Sequence, residues 1–204
     1  MMRHIFQSIS TTALASLFLL AASGVQAGDI KGKITVHGLR SAENIAVYVD
    51  AIPGKPFPAP TQHVAMDQKG MTFAPHVVVI LKDTTVDFSN SDAVGHNVYW
   101  PSVGGDKKLA HNLGTWPQGQ KKSFTFSDLG AIALLCNVHP EMSGYLVVVA
   151  TPYSAVSDKT GQFVIKDVPP GHYTLKTWSE EGKPATQPVD VAAGEVEVQL
   201  TVQK

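Results

Sequence analysis

The chain has 204 residues, 44% of them hydrophobic, with 16 basic side chains against 17 acidic ones and a single cysteine. That balance excludes the basic surplus expected of a nucleic-acid-binding surface, and one cysteine excludes a disulfide framework within the chain. The length suits one domain or two small ones.

Residues 1–27 read as a secretory signal peptide. Arg3 gives the segment a positive start, Thr11 to Ala22 runs apolar and uncharged, and Val25-Gln26-Ala27 supplies a small-x-small cleavage pattern. The apolar run is about a dozen residues, short of the roughly 20 that cross a bilayer. Cleavage after Ala27 is expected, giving a periplasmic or secreted protein with no membrane span in the mature chain. The alternative is an uncleaved anchor.

From there to the C-terminus the sequence reads as β-structure. KITVHG (33–38), IAVYVD (45–50), HVVVILKD (76–83), TVDFSN (85–90), KSFTF (122–126), GYLVVV (144–149), QFVIKDV (162–168), YTLKTW (173–178) and VEVQLTV (196–202) are short and rich in β-branched and aromatic residues. Gly, Pro, Asp and Asn separate them, and no segment after residue 27 has a helical period. The expectation is an all-β protein of sandwiches. Residues 51–60, AIPGKPFPAP, hold four prolines, which have no backbone N–H to give to a sheet, so this stretch predicts a linker. A second junction is expected at Thr151-Pro152.

Cys136 carries the functional signal. A lone thiol outside a reducing cytoplasm is liable to oxidation, so it is an inert buried residue, an intermolecular bridge or a metal thiolate. Its surroundings favour the third. Cys136-Asn137-Val138-His139-Pro140-Glu141-Met142 gives C-x2-H-x2-M, and His96-Asn97 lies forty residues upstream, just after Asn90-Ser91-Asp92. Two imidazoles, one thiolate and a weak thioether form the donor set of a blue-copper centre. Soft sulfur suits Cu(I) and imidazole also suits Cu(II), so a site between the two geometries reorganises little on electron transfer. The expected metal ligands are His96, Cys136, His139 and Met142, holding one copper ion of type 1.

These motifs resemble the cupredoxins from about Met66 to Ala150, within an expected domain of residues 61–150. Thr72-Phe73-Ala74-Pro75 before Val77–Leu81 is similar to their F-x-P opening. Thr85 to Asn90 is similar to the strand before the first ligand, Gly95-His96-Asn97-Val98 to the first histidine and its neighbour, and Leu135 to Met142 to the ligand loop. The short loop with Pro after His is most like that of amicyanin. The resemblance implies an eight-stranded Greek-key sandwich with copper at one end. It also implies that Asn97 bonds across the ligand loops and helps place the sulfur. It further implies that the edge of His139 shows through an apolar patch, with Pro140, Ala93 and Val94 as candidate neighbours.

The remaining residues carry weaker signals. His63, Met66 and His76 are a candidate second metal site, with partly buried histidines and a core methionine as the alternative. Trp100, close to His96 in sequence, is a candidate shield for the copper.

In residues 151–204, Asp158 to Ile165 followed by Val168-Pro169-Pro170-Gly171-His172-Tyr173-Thr174-Leu175 resembles the carboxypeptidase regulatory-like, transthyretin-type (Ig-like) β-sandwich. Gly32 to Val36 and Ala46 to Val49 have the form of that domain's opening strands. The expectation is therefore that residues 28–50 and 151–204 make one smaller sandwich into which the cupredoxin is inserted, against the alternative that 28–50 are extra cupredoxin strands. Pairing of residues 33–49 with 162–178 favours insertion, and pairing with 77–88 opposes it.

The combination resembles exported proteins of the methylamine-utilisation type. It implies a carrier of single electrons whose redox partner, a dehydrogenase or cytochrome, docks near His139. The alternative is copper storage or delivery. An enzyme is not expected: no H-x-H pair for a multicopper cluster is present.

Overall fold

The computed structural model describes residues 26–204, so the expected signal peptide lies, but for its last two residues, outside the described residues. Sixteen strands and one 3-10 turn (Lys107–Leu109) make up the described chain. No helix among the described residues is long and apolar enough to cross a membrane.

The chain opens with β1 (Gly28–His37) and β2 (Ala46–Val49). There follow β3 (Val64–Gln68), β4 (Phe73–Ala74), β5 (Val77–Leu81), β6 (Thr84–Asn90), β7 (His96–Trp100), β8 (His111–Trp116), β9 (Lys121–Phe126), β10 (Gly130–Leu135) and β11 (Ser143–Val149). It ends with β12 (Ser154–Val156), β13 (Gln162–Val168), β14 (Gly171–Trp178), β15 (Thr186–Val191) and β16 (Gly194–Gln203).

Two pairs of sheets result. The central stretch makes β4-β3-β6-β9 and β5-β11-β10-β7-β8. The outer stretches make β13-β1-β16 and β12-β2-β14-β15. The central sandwich thus has nine strands rather than eight, because two-residue β4 pairs with β3 across a tight hairpin. Gly70 (φ 66°) and Met71 (φ 61°) form its tip, two left-handed residues as in a primed hairpin turn, closed by Lys69 N–H donating to Thr72 O at 3.0 Å.

Strand patterning explains the cores. Along β6 the side chains alternate, with Thr84, Val86, Phe88 and Asn90 inward and the residues between them half exposed. Along β16, Val198, Leu200 and Val202 face in while Glu195, Glu197 and Gln199 face out. One core gathers Met66, Phe73, Phe88, Trp100, Trp116, Leu134 and Leu146, and the other Ile30, Ile34, Val47, Phe163, Leu175 and Leu200.

β1 pairs in parallel with β16 and antiparallel with β13, and β2 pairs with β14, Val49 facing Leu175. The opening strands therefore share sheets with strands from beyond residue 150. Thr151, at the second junction, donates its hydroxyl to Val49 O at 2.7 Å.

β11 breaks the alternation. Leu146 and Val148 enter the central core, while Val147 and Val149 join Ala46 and Val77 in a third cluster, with Tyr145 and Trp178 packed against it. Both faces of this strand are covered, which accounts for its unbroken apolar run. Beside the seam Tyr145 donates to Glu180 Oε1 at 2.6 Å, and His76 Nε2 lies 3.2 Å from Glu180 Oε2.

Candidate metal centre

The centre sits at one end of the central sandwich: the last residue of β10, Leu135, pairs with Tyr99 of β7, and the chain beyond it runs back past Asn97 toward the start of β7. His96 is the first residue of β7, Cys136 follows the last residue of β10, and Met142 precedes β11. Between Cys136 and Met142 the chain turns through Pro140, closed by Met142 N–H donating to His139 O at 3.0 Å. One short loop between two neighbouring strands therefore delivers three of the four expected side chains.

His96, Cys136 and His139 meet: one ligand atom from each lies within 4.8 Å of the other two. His96 Nδ1 is 3.0 Å from His139 Nδ1, and Cys136 Sγ is 4.0 Å from the latter. His96 is fully buried and Cys136 is 3% exposed, while His139 is half-buried at the surface. Met142 is buried in the same core cluster as Cys136. A buried thiol facing two imidazole nitrogens with no carboxylate among the three donors fits copper, since sulfur and imidazole serve both its oxidation states.

The surroundings hold these groups in place. Asn97 N–H donates to Cys136 Sγ at 3.4 Å, the Asn97 side-chain carbonyl accepts from Asn137 N–H at 3.2 Å, and its amide donates to Asn112 Oδ1 at 2.8 Å. Asn97 thus joins the strand of the first histidine to the cysteine loop. Buried Asn90 donates to Val94 O (2.8 Å) and Trp116 O (3.0 Å) and accepts from Asp92 N–H (2.9 Å), fixing the loop that leads into His96. Asp92 Oδ2 lies 2.9 Å from His96 Nε2. Amide donors from Met71 and Gly70, followed by the His96 contact, pull the Asp92 carboxyl down to about 2.

Among the neighbours, Val138 and Trp116 are the ones not legible in the sequence. Val94 and Val138 are about half exposed, on the loops that bring in His96 and His139, and are joined there by exposed Ala93 and Pro140. Val138 sits mid-motif, where it reads as a spacer. Trp116, not Trp100, is the tryptophan across from His96, as its partner between β7 and β8. Trp100 is at the other end of β7, stacked with His111, Phe124 and Phe126.

The other histidines have separate partners. His63 bonds Asp87 Oδ1 at 2.9 Å on the surface, Met66 is fully buried in the central core, and His76 pairs with Glu180 at the seam. His96, Cys136 and His139 form the metal-type cluster found among the His, Cys, Asp and Glu side chains of the described residues.

Residues 60–149 match the family model of copper binding proteins, plastocyanin/azurin family, and residues 141–203 match that of the carboxypeptidase regulatory-like domain. No curated protein matches the chain. Among solved structures it is similar to a reduced Cu(I) form of an amicyanin variant, with 24% identity, 50% of this chain and 97% of that one covered, and a TM-score of 0.40. It is also similar to a purple cupredoxin from Nitrosopumilus maritimus, with 22% identity, coverage of 42% and 98%, and a TM-score of 0.37. One stretch of the chain thus matches a plastocyanin/azurin-type copper-binding model and another a carboxypeptidase regulatory-like model.

Proposed function

We propose that this is an exported copper protein that holds one type 1 ion between His96, Cys136 and His139, with Met142 as the weak axial donor, and carries single electrons between redox partners. The observation that carries the reading is the meeting of two imidazole nitrogens and the sole thiol, buried at one end of the sandwich. Bound there, copper supplies a one-electron couple. The residues of the chain supply the rest.

Asn97 and Asn90 hold the ligand loops by hydrogen bonds that do not depend on the ion. Ligands fixed in advance move little when the charge changes, which keeps the barrier to electron transfer low. Burial of His96 and Cys136 keeps water from the thiolate and opposes loss of the ion. The half-buried ring of His139 is the one edge of the trio that reaches the surface, and the exposed apolar side chains of Val94 and Val138 lie on the same loops. A dehydrogenase or cytochrome docking on this patch would exchange electrons through that ring.

Export is supported by the sequence of residues 1–27, and β1 begins at Gly28, the residue after the expected cleavage point. The sheet pairing supports reading residues 28–50 and 151–204 as one domain interrupted by the copper domain at 61–150, with 51–60 as linker. Catalysis is not part of the proposal: Met142, read as the fourth donor, would occupy the position an open substrate site needs.

The test is the absorption spectrum of the copper-loaded protein beside Cys136→Ser. An intense thiolate-to-copper band in the red part of the visible range, absent from the variant, is expected. Its absence from the unsubstituted protein overturns the reading. Slow loss of copper to a chelator separates a carrier from a delivery protein.

A further inference from the structure

Asp92 lies four residues before His96 on the loop entering β7. Its carboxylate makes three contacts: His96 Nε2 at 2.9 Å from Oδ2, Gly70 N–H at 2.7 Å to Oδ1, and Met71 N–H at 3.0 Å to Oδ2. The last two come from the left-handed tip of the β3–β4 hairpin. The His96 side chain is fully buried, and that of Asp92 is 17% exposed. Two loops, the β3–β4 hairpin tip and the one entering β7, thus meet at one carboxylate placed directly behind a buried imidazole.

An ionised carboxylate only accepts hydrogen bonds. The ring proton of neutral His96 therefore sits on Nε2, and Nδ1 is left with its lone pair. Nδ1 is the atom that faces His139 and the thiol. The partner of one imidazole nitrogen decides which tautomer is offered on the other.

We propose that Asp92 is a positioning residue of the copper centre: it fixes His96 as the Nε2–H tautomer and lowers the reduction potential with a fixed negative charge one imidazole behind the ion. This deepens the copper reading and rests on it. A unit charge at that separation, with a partly wet carboxylate and two amide donors tempering it, favours Cu(II) over Cu(I) by about tenfold. For a one-electron couple this is about 59 mV.

The test uses the full chain with Asp92→Asn, Asp92→Glu and Asp92→Ala. The readouts are redox titration of the thiolate band and nitrogen NMR of the His96 ring in the metal-free protein. Asp92→Asn keeps an acceptor for Nε2–H but loses the charge. Its thiolate band is expected to stay and its potential to rise by the tenfold equivalent. Asp92→Glu restores the charge and brings the potential back toward that of the unsubstituted protein. Asp92→Ala loses the single Nε2–H tautomer and binds copper about 10–100-fold more weakly. An unchanged potential in Asp92→Asn overturns the proposal. So does a His96 ring that keeps one tautomer in Asp92→Ala. Should Asp92→Ala not fold, the potentials of the other two variants decide. If the unsubstituted protein shows no thiolate band, the copper reading itself has failed, and the metal-free NMR still judges the role of Asp92 toward His96.

Discussion

Asn97→Ala is expected to destabilise the metal-free protein by about 2 kcal/mol. Asn97 is 3% exposed and its side chain makes two bonds, one accepted from Asn137 N–H and one donated to Asn112 Oδ1. Each contributes about 1 kcal/mol net. The larger penalty for stranded buried groups does not apply. Asn137 is exposed to water, and Asn112 Oδ1 keeps its bond from Gly114 N–H at 2.7 Å. The backbone donor to Cys136 Sγ is untouched by the substitution. Urea and thermal unfolding followed by circular dichroism measure the loss. If the copper sandwich melts alone, the midpoint falls by roughly 8–16 °C; if both sandwiches melt as one unit, by about half that. Asn112→Ala alone should cost about 1 kcal/mol, and the double variant less than the sum, since the two share a bond. A loss below about 0.5 kcal/mol for Asn97→Ala refutes the idea that this amide ties the His96 strand to the cysteine loop, and strict additivity with Asn112→Ala refutes a stabilising bond between the two asparagines.

Three other outcomes are expected. His139→Ala should leave a folded protein, since the ring is half exposed, but with an altered copper spectrum and slow electron exchange; unchanged redox kinetics would remove His139 from the site. Gly144→Ala should cost about 1–3 kcal/mol by overpacking, because a Cβ there would lie 2.5 Å from Phe73 Cβ; a denaturation midpoint equal to that of the unsubstituted protein refutes it. Glu180→Gln should weaken the seam in a pH-dependent way. Burial pushes the Glu180 carboxyl up, but bonds from Tyr145 and His76 outweigh this and hold it below its ordinary value. A lowered value means that the carboxylate stabilises the fold above the ordinary carboxylate pKa and that this contribution is lost as pH falls through the folded value. The gap between Glu180→Gln and the unsubstituted protein should therefore close on acidification, and a gap that persists or widens refutes the sign.

Much of this architecture can be read from residues alone. Periodicity and turn residues mark the strands, and the trio His96, Cys136 and His139 follows from spacing plus the chemistry of a lone thiol. The parts that escape sequence reading are long-range. Asp92 looks like turn chemistry after Asn90, because its partners at residues 70, 71 and 96 belong to different loops. Proximity in sequence suggested Trp100 as the shield, yet a residue four further along an extended strand is about 13 Å away, and it is Trp116 that pairs across from His96. His63 and His76 look alike as isolated histidines, and only tertiary structure gives one to Asp87 and the other to Glu180. β4 is too short to register as a strand before its hairpin partner is known.

With both faces of β11 covered from Leu146 to Val149, the two sandwiches meet along a shared apolar seam and not only through their connecting chain. Residues 142–149 run from the end of the ligand loop straight into the buried wall between the sandwiches, so the bearing of His139 relative to the other sandwich is set within the polypeptide. A collision partner that touched both bodies would meet a surface whose angles are already fixed, and would spend little of its binding free energy on aligning them.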